Sequence, residues 1–469
     1  MFRRSHCLSL CGRSIAISWS TPRDRPARLS GVITSATGSA ADTSQHQPLR
    51  VVIGVGGGIA AFKAAHLVRY FTEAGHHVNV IPTRSALEFV GAATFEALSG
   101  NPVSTGVFEN VDEVQHVRLG QQADLIVIAP ATADLLARLA MGRADDLLTS
   151  SCLVATCPIV LAPAMHTEMW DNAATRANVR TLRERGFHVI EPAHGRLTGK
   201  DTGAGRLPDP EHIGSLALSA MRNHERDIFR QSLVGKRVVI SAGGTEEPID
   251  PVRFLTNASS GRQGYALADI ATQRGAEVTL ISASTEVLPV PSGAKVVKVR
   301  TAMQLQEAMQ RESAQADLVI MAAAVADYRP EAVAASKMKK DADTDLSTLH
   351  LVENPDILVG LVQARENGEI PQQTVIVGFA AETGDEDNSP LDHAKRKLKK
   401  KGCDLLMCNA VGEGKVFGQE DNAGWLLNAR RSEGTQDGEP VIVEVPAGPK
   451  LDVAARIIDE AETLLGVDM

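Results

Sequence analysis

Residues 50–61 read RVVIGVGGGIAA, an apolar run that ends in a glycine turn. The first six residues are mostly β-branched and apolar, which is typical of a buried strand. Gly56, Gly57 and Gly58 then lead into a helical pattern that continues to about residue 74. A strand that enters a helix through such a turn predicts the first unit of an α/β fold with a parallel sheet.

The same alternation of short apolar runs and longer amphipathic segments continues along the chain. Strands are predicted at residues 50–55, 78–82, 125–129, 159–162, 189–191, 237–241, 277–282, 318–322, 374–379 and 404–408. Helices are predicted at residues 59–74, 132–141, 173–185, 211–230, 263–274, 302–313, 357–364 and 391–401. We therefore predict two doubly wound, Rossmann-like α/β domains with parallel sheets, over residues 50–230 (the first half) and 231–469 (the second half).

The first 49 residues have a different composition from the rest. They are rich in arginine and serine, and the first acidic residue is Asp24. This composition is typical of an organelle transit peptide, and it also fits a disordered leader added by a start codon assigned too far upstream. We favour the second interpretation and exclude residues 1–49 from the fold.

Composition excludes several classes of protein. With 43% hydrophobic and 22% charged residues, the chain is typical of a globular protein, and no apolar run is long enough to span a membrane. A net charge of −9 and 4% aromatic residues argue against a general nucleic-acid-binding protein. The six cysteines have neither disulfide-framework nor metal-ligand spacing, so we predict reduced, buried thiols in a cytoplasmic protein and no protein-held metal.

The glycine turn favours a mononucleotide over a dinucleotide. Gly56-x-Gly58-x-x-Ala61 loosely matches a dinucleotide-binding fingerprint, but such a unit would have an acid at the end of its second strand. Here that strand ends at Thr83, with Ser85 behind it. Hydroxyl groups suit a terminal phosphate, so FMN fits better than NAD. A glycine cluster that serves packing alone is the remaining interpretation.

Other candidate residues follow the next strands of the first half. Ala131 and Thr132 follow the third strand, and Met165 and His166 follow the fourth. Because the carboxyl ends of parallel strands share one edge, we expect these residues to face one crevice. Thr132 also suits an ordinary helix N-cap. His116 is a candidate acid or base, although a lone histidine is more often structural.

The second half has its own candidates for binding anions. Residues 241–261 read SAGGTEEPIDPVRFLTNASSG, in which backbone amides and Asn257 could cradle a phosphate and Arg253 could neutralise it. Residues 337–340 and 395–402 are basic islands in an acidic protein. They are either solvated faces or groups that neutralise a triphosphate.

Taken together, seven ordered motifs resemble the bifunctional coenzyme A biosynthesis family, in which phosphopantothenoylcysteine decarboxylase is fused to phosphopantothenate–cysteine ligase. The motifs are GGIAAFK (57–63), APATADL (129–135), PAMHTEMW (163–170), GTEEPIDPVRFLTNASSGRQG (244–264), AAAVADYRP (322–330), NPDIL (354–358) and GFAAET (378–383).

The resemblance implies two reactions and their cofactors. In the ligase half, 4′-phosphopantothenate would attack CTP to give an acyl-cytidylate, and cysteine would then displace CMP, with Mg²⁺ neutralising the phosphates. In the decarboxylase half, FMN would transiently oxidise the cysteinyl group, so that CO₂ leaves easily. The resemblance also implies a homo-oligomer of decarboxylase trimers and ligase dimers, and small-molecule substrates rather than nucleic acid or membrane.

The resemblance also implies roles for particular residues. Catalysis would involve His116 in the decarboxylase half and Asn257, Arg253 and Lys337 in the ligase half. FMN would contact Gly56, Gly57, Gly58, Thr83, Ser85, Ala131 and Thr132. The decarboxylase substrate would contact Met165, His166 and Arg206. The ligase substrates would contact Met321, Ala322, Ala323, Asp327, Lys337, Asn354, Pro355, Asp356, Ile357, Phe379, Lys397 and Lys401.

The chain departs from the family pattern at three places. His166 replaces a common asparagine, and Gly56 replaces a common serine. The substrate flap carries Thr198 and Gly199 near the place where many members have a proton-donating cysteine. A ligase with a weak or inactive decarboxylase half, or a regulatory flavoprotein subunit, is therefore the alternative.

Overall fold

The computed structural model describes residues 47–106, 114–196, 202–223, 227–338, 348–382, 388–410, 421–430 and 439–467. The predictions for the leader through residue 46 and for Thr198 and Gly199 lie outside the described residues. Pro48–Met469 forms one compact unit. No helix in the described part of the chain is long and apolar enough to cross a membrane.

The first half contains seven described strands and eight described α-helices. The strands are β1 (Arg50–Val55), β2 (His77–Pro82), β3 (Leu125–Ala131), β4 (Ile159–Pro163), β5 (His188–Val189), β6 (Ala193–Arg196) and β7 (Thr202–Arg206). The helices are α1 (Phe62–Glu73), α2 (Ala92–Ser99), α3 (Gln115–Gln122), α4 (Ala133–Ala140), α5 (Leu147–Val154), α6 (Thr167–Trp170), α7 (Ala173–Glu184) and α8 (Pro210–Arg222).

The first sheet is parallel and has the strand order β2-β1-β3-β4-β5. The chain first moves from β1 outward to β2 and then returns past β1 to β3. The strand order therefore reverses between β1 and β3, and this switch point is where ligands bind in open α/β sheets. Strands β6 and β7 form an antiparallel hairpin outside the sheet, which we call the arm.

The second half contains twelve described strands and five described α-helices. The strands are β8 (Arg237–Ala242), β9 (Glu246–Asp250), β10 (Arg253–Thr256), β11 (Glu277–Ser282), β12 (Lys295–Lys298), β13 (Leu318–Met321), β14 (Tyr328–Pro330), β15 (Leu351–Glu353), β16 (Val375–Glu382), β17 (Leu405–Ala410), β18 (Asp421–Asn428) and β19 (Val441–Pro449). The helices are α9 (Arg262–Gln273), α10 (Ala302–Ser313), α11 (Ile357–Glu366), α12 (Pro390–Lys401) and α13 (Lys450–Leu464).

The second sheet has the order β12-β11-β8-β13-β16-β17-β18-β19. Its first six strands are parallel, which confirms the predicted class, and its switch point lies between β8 and β13. Strands β18 and β19 are antiparallel additions that the sequence did not predict. The hairpins β9–β10 and β14–β15 were also not predicted.

The helix predicted at residues 211–230 is shorter in the structure. It ends at Arg222, where the Asn223 side chain donates to the Ser219 carbonyl at 2.9 Å. Further on, Asp227 accepts from the Phe229 amide at 2.9 Å, a local turn that is incompatible with a continuous helix. The prediction failed because side chains of this kind end helices by competing for backbone groups.

The four cysteines in the described residues are free and lie in or beside the core. Burial raises the pKa of Cys152 and Cys403 to about 12 and that of Cys157 and Cys408 to about 11. These groups are protonated, weakly reactive thiols at neutral pH. Cys152, Cys403 and Cys408 are buried, as predicted, whereas Cys157 is half-buried.

A buried charge cluster fixes residues 227–236, which we call the linker between the two halves. Arg274, directly after α9, is fully buried, and its guanidinium nitrogens lie 2.8 Å from Asp459 and 2.8 Å from Glu462 of α13. Arg230 of the linker pairs with the same two carboxylates. Removing one partner of a buried pair leaves an uncompensated charge, so this cluster holds the linker firmly against α9 and α13.

A second buried pair joins α8 to α9. The Nε2 atom of His212 and the Oδ1 atom of Asp269 lie 3.4 Å apart. Burial raises the pKa of Asp269 to about 6, and the neighbouring His212 opposes part of that rise. Because this pKa exceeds the ordinary value of 3.8, the folded chain binds an extra proton between these pH values. The free energy of unfolding therefore falls as pH rises through this window.

We predict that Asp269→Asn removes this loss of stability. At pH 8 the variant should be more stable than the parent protein by up to about 3 kcal/mol, whereas at pH 4 the difference should nearly vanish. Thermal unfolding followed by circular dichroism at both pH values measures this. Asp421→Asn, at an exposed position, is the control. A variant that is no more stable than the parent at pH 8 would contradict the prediction.

Candidate functional site

The glycine turn lies at the carboxyl end of β1, at the first switch point. The Gly56 amide donates to the Pro130 carbonyl at 3.0 Å, and a Cβ atom on Gly56 would lie 2.4 Å from that oxygen. A Cβ atom on Gly57 would lie 2.2 Å from Ser85 Oγ, so the turn accepts only glycine at both places. Within the described residues, the Gly57 and Gly58 amides donate no hydrogen bond. Amides at such a turn can bind a phosphate.

Thr83 and Ser85 have different roles beside this turn. Thr83 is buried, and its hydroxyl donates to the Val55 carbonyl and accepts from the Ala86 amide, each at 3.2 Å. Ser85 is exposed, and its Oγ lies 3.2 Å from Thr83 Oγ1. Thr83 therefore positions the loop, and Ser85 is the residue that can present a hydroxyl to a ligand.

Ala131 and Thr132 lie on the other side of the switch point. Ala131 is fully buried, and its carbonyl accepts from the Ala164 amide at 3.1 Å. The Thr132 hydroxyl accepts from the Leu135 amide at 3.3 Å, which confirms the predicted N-cap. Its methyl group lies 3.7 Å from where a Cβ on Gly58 would be. The two loops that follow β1 and β3 therefore meet here.

The arm crosses the loop after β4. The Met165 amide donates to the Gly205 carbonyl at 2.9 Å, and a Cβ atom on Gly205 would lie 2.2 Å from the Met165 oxygen. His166 is exposed at the start of α6. Arg206 ends the arm, is exposed, and lies 3.4 Å from Asp209. The predicted substrate residues of the first half are thus grouped around the base of the arm.

His116 lies in the first turn of α3. This helix ends just before β3 begins, so its first turn lies toward the carboxyl edge of the sheet. The ring is half-buried, and its Nδ1 atom has no hydrogen-bond partner among the described residues. A buried nitrogen without a partner is costly, so His116 is a group that a ligand or another segment would satisfy.

Two adjoining cavities lie at the switch point of the second half. The larger cavity has a volume of about 630 Å³ and is bounded mainly by the loops after β13 and β15, by Phe379 of β16 and by α12. The smaller cavity, of about 510 Å³, lies over the turn that opens α9. Both cavities are lined by Ala323, Val325, Asp327, Phe379 and Lys397.

Most predicted ligase residues of the second half line these cavities. The larger cavity contains Met321, Ala323, Asp327, Asn354, Pro355, Asp356, Ile357, Phe379, Lys397 and Lys401. The smaller cavity adds Asn257 and Ala322. Residues from distant parts of the sequence thus meet at one edge of the sheet. Arg253 and Lys337 line neither cavity.

Arg253 is instead held by its own hairpin. Its Nε and Nη2 atoms donate to Asp250 Oδ2 at 2.9 and 2.6 Å, and Nη2 also donates to the Met338 carbonyl at 3.1 Å. Hydrogen bonds from Arg253 hold the pKa of Asp250 well below its usual range. Because Met338 follows Lys337 directly, Arg253 and Lys337 lie in segments that contact each other.

The lysines around the larger cavity differ in their pairing. Lys397 Nζ lies 3.0 Å from Glu382 Oε1, and Lys401 pairs with Asp356. Lys400 also lines this cavity and makes no ion pair with the described residues. Lys397, Lys400 and Lys401 share a face of α12 at i, i+3 and i+4 spacing, a signal in the sequence that we did not use.

The smaller cavity includes polar groups that sequence reasoning missed. Asn257, which was predicted, lines this cavity, and its side chain donates to the Val325 carbonyl at 2.9 Å. Asn409 also lines it, and its buried Oδ1 atom has no partner among the described residues. Asn422 of β18 and Lys450 of α13 complete the wall. Asn422 and Lys450 were missed because β18 and α13 were not predicted, whereas Asn409 lies just beyond the predicted end of β17.

The described residues contain no cluster of three or more histidine, cysteine or acidic side chains that could hold a metal ion. A divalent cation at these cavities would need most of its ligands from a bound anion. Mg²⁺ commonly binds in this way, through substrate phosphates and water.

Two family models match consecutive parts of the chain. A family described as "Flavoprotein" matches residues 39–221, and "DNA/pantothenate metabolism flavoprotein C-terminal domain" matches residues 233–464. The coenzyme A biosynthesis bifunctional protein CoaBC of Mycobacterium tuberculosis is 55% identical over 418 residues, covering 89% of this chain and 97% of the relative. The protein of the same name from Vibrio vulnificus is 39% identical over 420 residues, covering 89% and 98%.

Two solved structures are similar to parts of the chain. The C-terminal domain of a CoaBC protein is 33% identical and covers 51% of this chain and 100% of its own, with a TM-score of 0.40. The FMN binding protein AtHal3 is 32% identical and covers 36% of this chain and 95% of its own, with a TM-score of 0.33. Because CoaBC relatives match along nearly their whole length, the chain belongs to the family of bifunctional coenzyme A biosynthesis proteins.

Proposed function

We propose that the protein catalyses two consecutive steps of coenzyme A biosynthesis in the cytoplasm. The second half ligates cysteine to 4′-phosphopantothenate with CTP, and the first half decarboxylates the product, 4′-phosphopantothenoylcysteine, with FMN. The observation that carries the proposal is the grouping of distant motif residues, such as Asp327, Asn354 and Phe379, around two adjoining cavities at one switch point.

In the ligase reaction, the cavities position two anionic substrates against each other. The carboxylate of 4′-phosphopantothenate attacks the α-phosphorus of CTP, which releases pyrophosphate and leaves an acyl-cytidylate. The amine of cysteine then forms the amide, and CMP leaves. Lysines of α12 and the amides after β8 would offset the phosphate charge, and Mg²⁺ would be held largely by the phosphates.

Arg253 and Lys337 line neither cavity, so in this proposal they reach a reaction centre through the assembly of subunits. Arg253 lies in the β9–β10 hairpin and Lys337 in the segment that contacts it. This hairpin exposes Val252 and Phe254, and the neighbouring hairpin exposes Tyr328. An exposed apolar surface of this kind is typical of a contact between subunits. We propose a homo-oligomer in which ligase dimers bring Arg253 and Lys337 to a reaction centre and decarboxylase trimers complete the flavin site.

In the first half, the residues at the switch point fit the phosphate end of FMN. The amides of Gly57 and Gly58 and the exposed hydroxyl of Ser85 would hold the phosphate. When bound, FMN supplies the transient two-electron oxidation that makes decarboxylation easy. His116 would move a proton through its ring nitrogens, and His166 would hold the substrate carboxylate.

The first test is an absorption spectrum of the purified protein followed by a CTP-dependent assay on the same sample. Flavin bands near ~450 nm are expected from bound FMN. CMP formation from CTP, 4′-phosphopantothenate and cysteine tests the ligase half. A colourless protein that still forms CMP would leave a ligase alone, and a protein that forms no CMP would overturn the ligase half.

We predict that His116→Asn abolishes CO₂ release and leaves ligation intact. Loss of a positioned acid or base typically costs about 100- to 10,000-fold in rate. The measurements are CO₂ release from supplied 4′-phosphopantothenoylcysteine and CMP release by the ligase. His77→Asn, at an exposed position on β2, is the matched control. Equal loss of both activities would contradict the separation of the two reactions between the halves.

We predict that Lys337→Gln lowers ligation by about 100-fold, because it removes a cation from the developing phosphate charge. Decarboxylation of supplied substrate should be unchanged. The control is Lys340→Gln, three residues further along the same basic segment. Ligation near the parent rate in Lys337→Gln would show that the residue has no part in the reaction.

We also predict a role for Lys400, the lysine of the larger cavity that makes no ion pair with the described residues. Lys400→Gln should raise KM for CTP by about tenfold, the cost of one charge-assisted contact. Lys399→Gln makes the same change on the same helix at an exposed position that does not line the cavity. If the two substitutions raised KM equally, the effect would come from general surface charge, and the prediction of a contact between Lys400 and CTP would be wrong.

A further inference from the structure

A cavity of about 410 Å³ lies between the two halves of the chain. One wall is the base of the arm and the start of α8, including Arg206 and His212. The other wall is the loop between β11 and β12, including Leu288, Val290 and Ser292. The volume is in the range of small-molecule sites, about 300–1000 Å³. We call it the arm cavity; of its lining residues, Arg206 alone has a ligand-binding role described above.

Two buried polar groups lining the arm cavity lack hydrogen-bond partners among the described residues. Ser292 is 1% exposed, and its Oγ atom is unpaired. The His212 side chain is 9% exposed, and its Nε2 atom lies 3.4 Å from Asp269 without hydrogen-bond geometry. His212 nevertheless faces Asp269 in the pair that joins α8 to α9, so Ser292 is the group left without any partner among the described residues. Buried groups of this kind are normally satisfied, so a ligand or ordered water is expected beside Ser292.

The chemistry of the walls fits a phosphorylated aliphatic molecule. Arg206 and His194 are exposed at the arm side, and the only carboxylate that lines this cavity in the described residues, Asp209, is already paired with Lys63 at 3.0 Å. The opposite wall is apolar, and no phenylalanine, tyrosine or tryptophan lines the cavity in the described residues. A nucleotide base would find none of these large rings to stack on here, whereas an aliphatic amide with an anionic end would not need one.

The loop that forms the apolar wall also contacts the ligase cavities. At its start, the Glu286 amide donates to the Ser260 carbonyl at 3.2 Å, and Glu286 accepts from Arg262 Nε at 2.9 Å. Ser260 and Arg262 line the smaller cavity. One short loop therefore forms part of the arm cavity and supports the turn at which ligation is proposed.

The arm connects the same cavity to the first half's substrate residues. Gly205, directly before Arg206, receives a hydrogen bond from the Met165 amide at 2.9 Å. The loop that contains Met165 also contains His166, which we predict to contact the decarboxylase substrate. The arm cavity thus lies along a continuous path of contacts from the ligase turn to the decarboxylase substrate loop.

We propose that the arm cavity is a transfer site for the phosphorylated aliphatic amide that the second half makes and the first half consumes. This inference rests on the proposed function, because only a protein that performs both steps has an intermediate to transfer. Ser292 binds a polar group of the intermediate, Arg206 attracts its phosphate, and Leu288 and Val290 cover its aliphatic chain.

The test is an isotope-dilution experiment on the full-length protein. The reaction contains CTP, 4′-phosphopantothenate and cysteine labelled at its carboxyl carbon, with an excess of unlabelled 4′-phosphopantothenoylcysteine in solution. Labelled CO₂ is measured. A transfer site keeps the newly made intermediate at high local concentration. Labelled CO₂ should therefore exceed, by at least about threefold, the full-mixing value, which is the amount expected if the new intermediate mixed completely with the unlabelled pool.

Two substitutions test the cavity itself. Val290→Trp fills its mouth at a half-exposed position, and Ser292→Ala removes the unpaired hydroxyl. Both should lower labelled CO₂ to the full-mixing value, while CMP release and decarboxylation of supplied intermediate stay at the parent level. Val234→Trp, exposed and outside the cavity, is the matched control and should behave as the parent.

The outcomes separate this proposal from the proposed function. Full mixing in the parent protein, with both single reactions intact, would show that the cavity holds water only and would overturn the transfer site. Unchanged labelled CO₂ in both variants would overturn it equally. A parent protein that forms no CMP, or that releases no CO₂ from supplied intermediate, would overturn the proposed function and the transfer site with it.

Discussion

Both halves depend on backbone hydrogen bonds that join the two loops at each switch point. In the first half the Gly56 amide donates to the Pro130 carbonyl at 3.0 Å. In the second half the Ala324 amide donates to the Gly243 carbonyl at 2.8 Å. A Cβ atom on Gly243 would lie 2.3 Å from the Ser284 carbonyl oxygen, so a side chain would push this turn away from the loop that follows β11. Because the loops pack closely through their backbones at these points, the carboxyl edge of each sheet remains open to ligands, and the strands themselves remain buried.

The sequence predicts the parts of this arrangement that repeat a simple period. Every strand of the two parallel cores except the edge strand β12 was predicted within about three residues, because buried strands are short, apolar and separated by amphipathic helices. The glycine turn after β1 and the motif residues after β13 lie at the carboxyl ends of predicted strands for the same reason: the carboxyl end of a parallel strand is fixed once the strand is found.

The elements that were not predicted lack such a period. Strands β18 and β19 alternate polar and apolar residues weakly, and their pairing with β17 depends on contacts across the sequence. As a result, Asn422 and Lys450 could not be assigned to the smaller cavity. The pairing of Arg253 with the buried Asp250 was also not visible, although the two are three residues apart. A hairpin brings them together, and no hairpin was predicted there.

The electrostatics of the larger cavity show how the chain can be stable without a ligand and still favour an anion. Asp356 accepts from the Val359 amide at 3.2 Å as the N-cap of α11, and it also pairs with Lys401. The capping bond fixes the carboxylate, and the carboxylate in turn fixes the lysine beside the cavity. Lys397 is held similarly by Glu382. Lysines that are already positioned lose little conformational entropy when a phosphate binds. Before a phosphate binds, the paired carboxylates limit the repulsion between these lysines. The acidic composition of the chain therefore does not oppose a site for a polyphosphate, because local pairing, rather than net charge, determines the field inside the cavity.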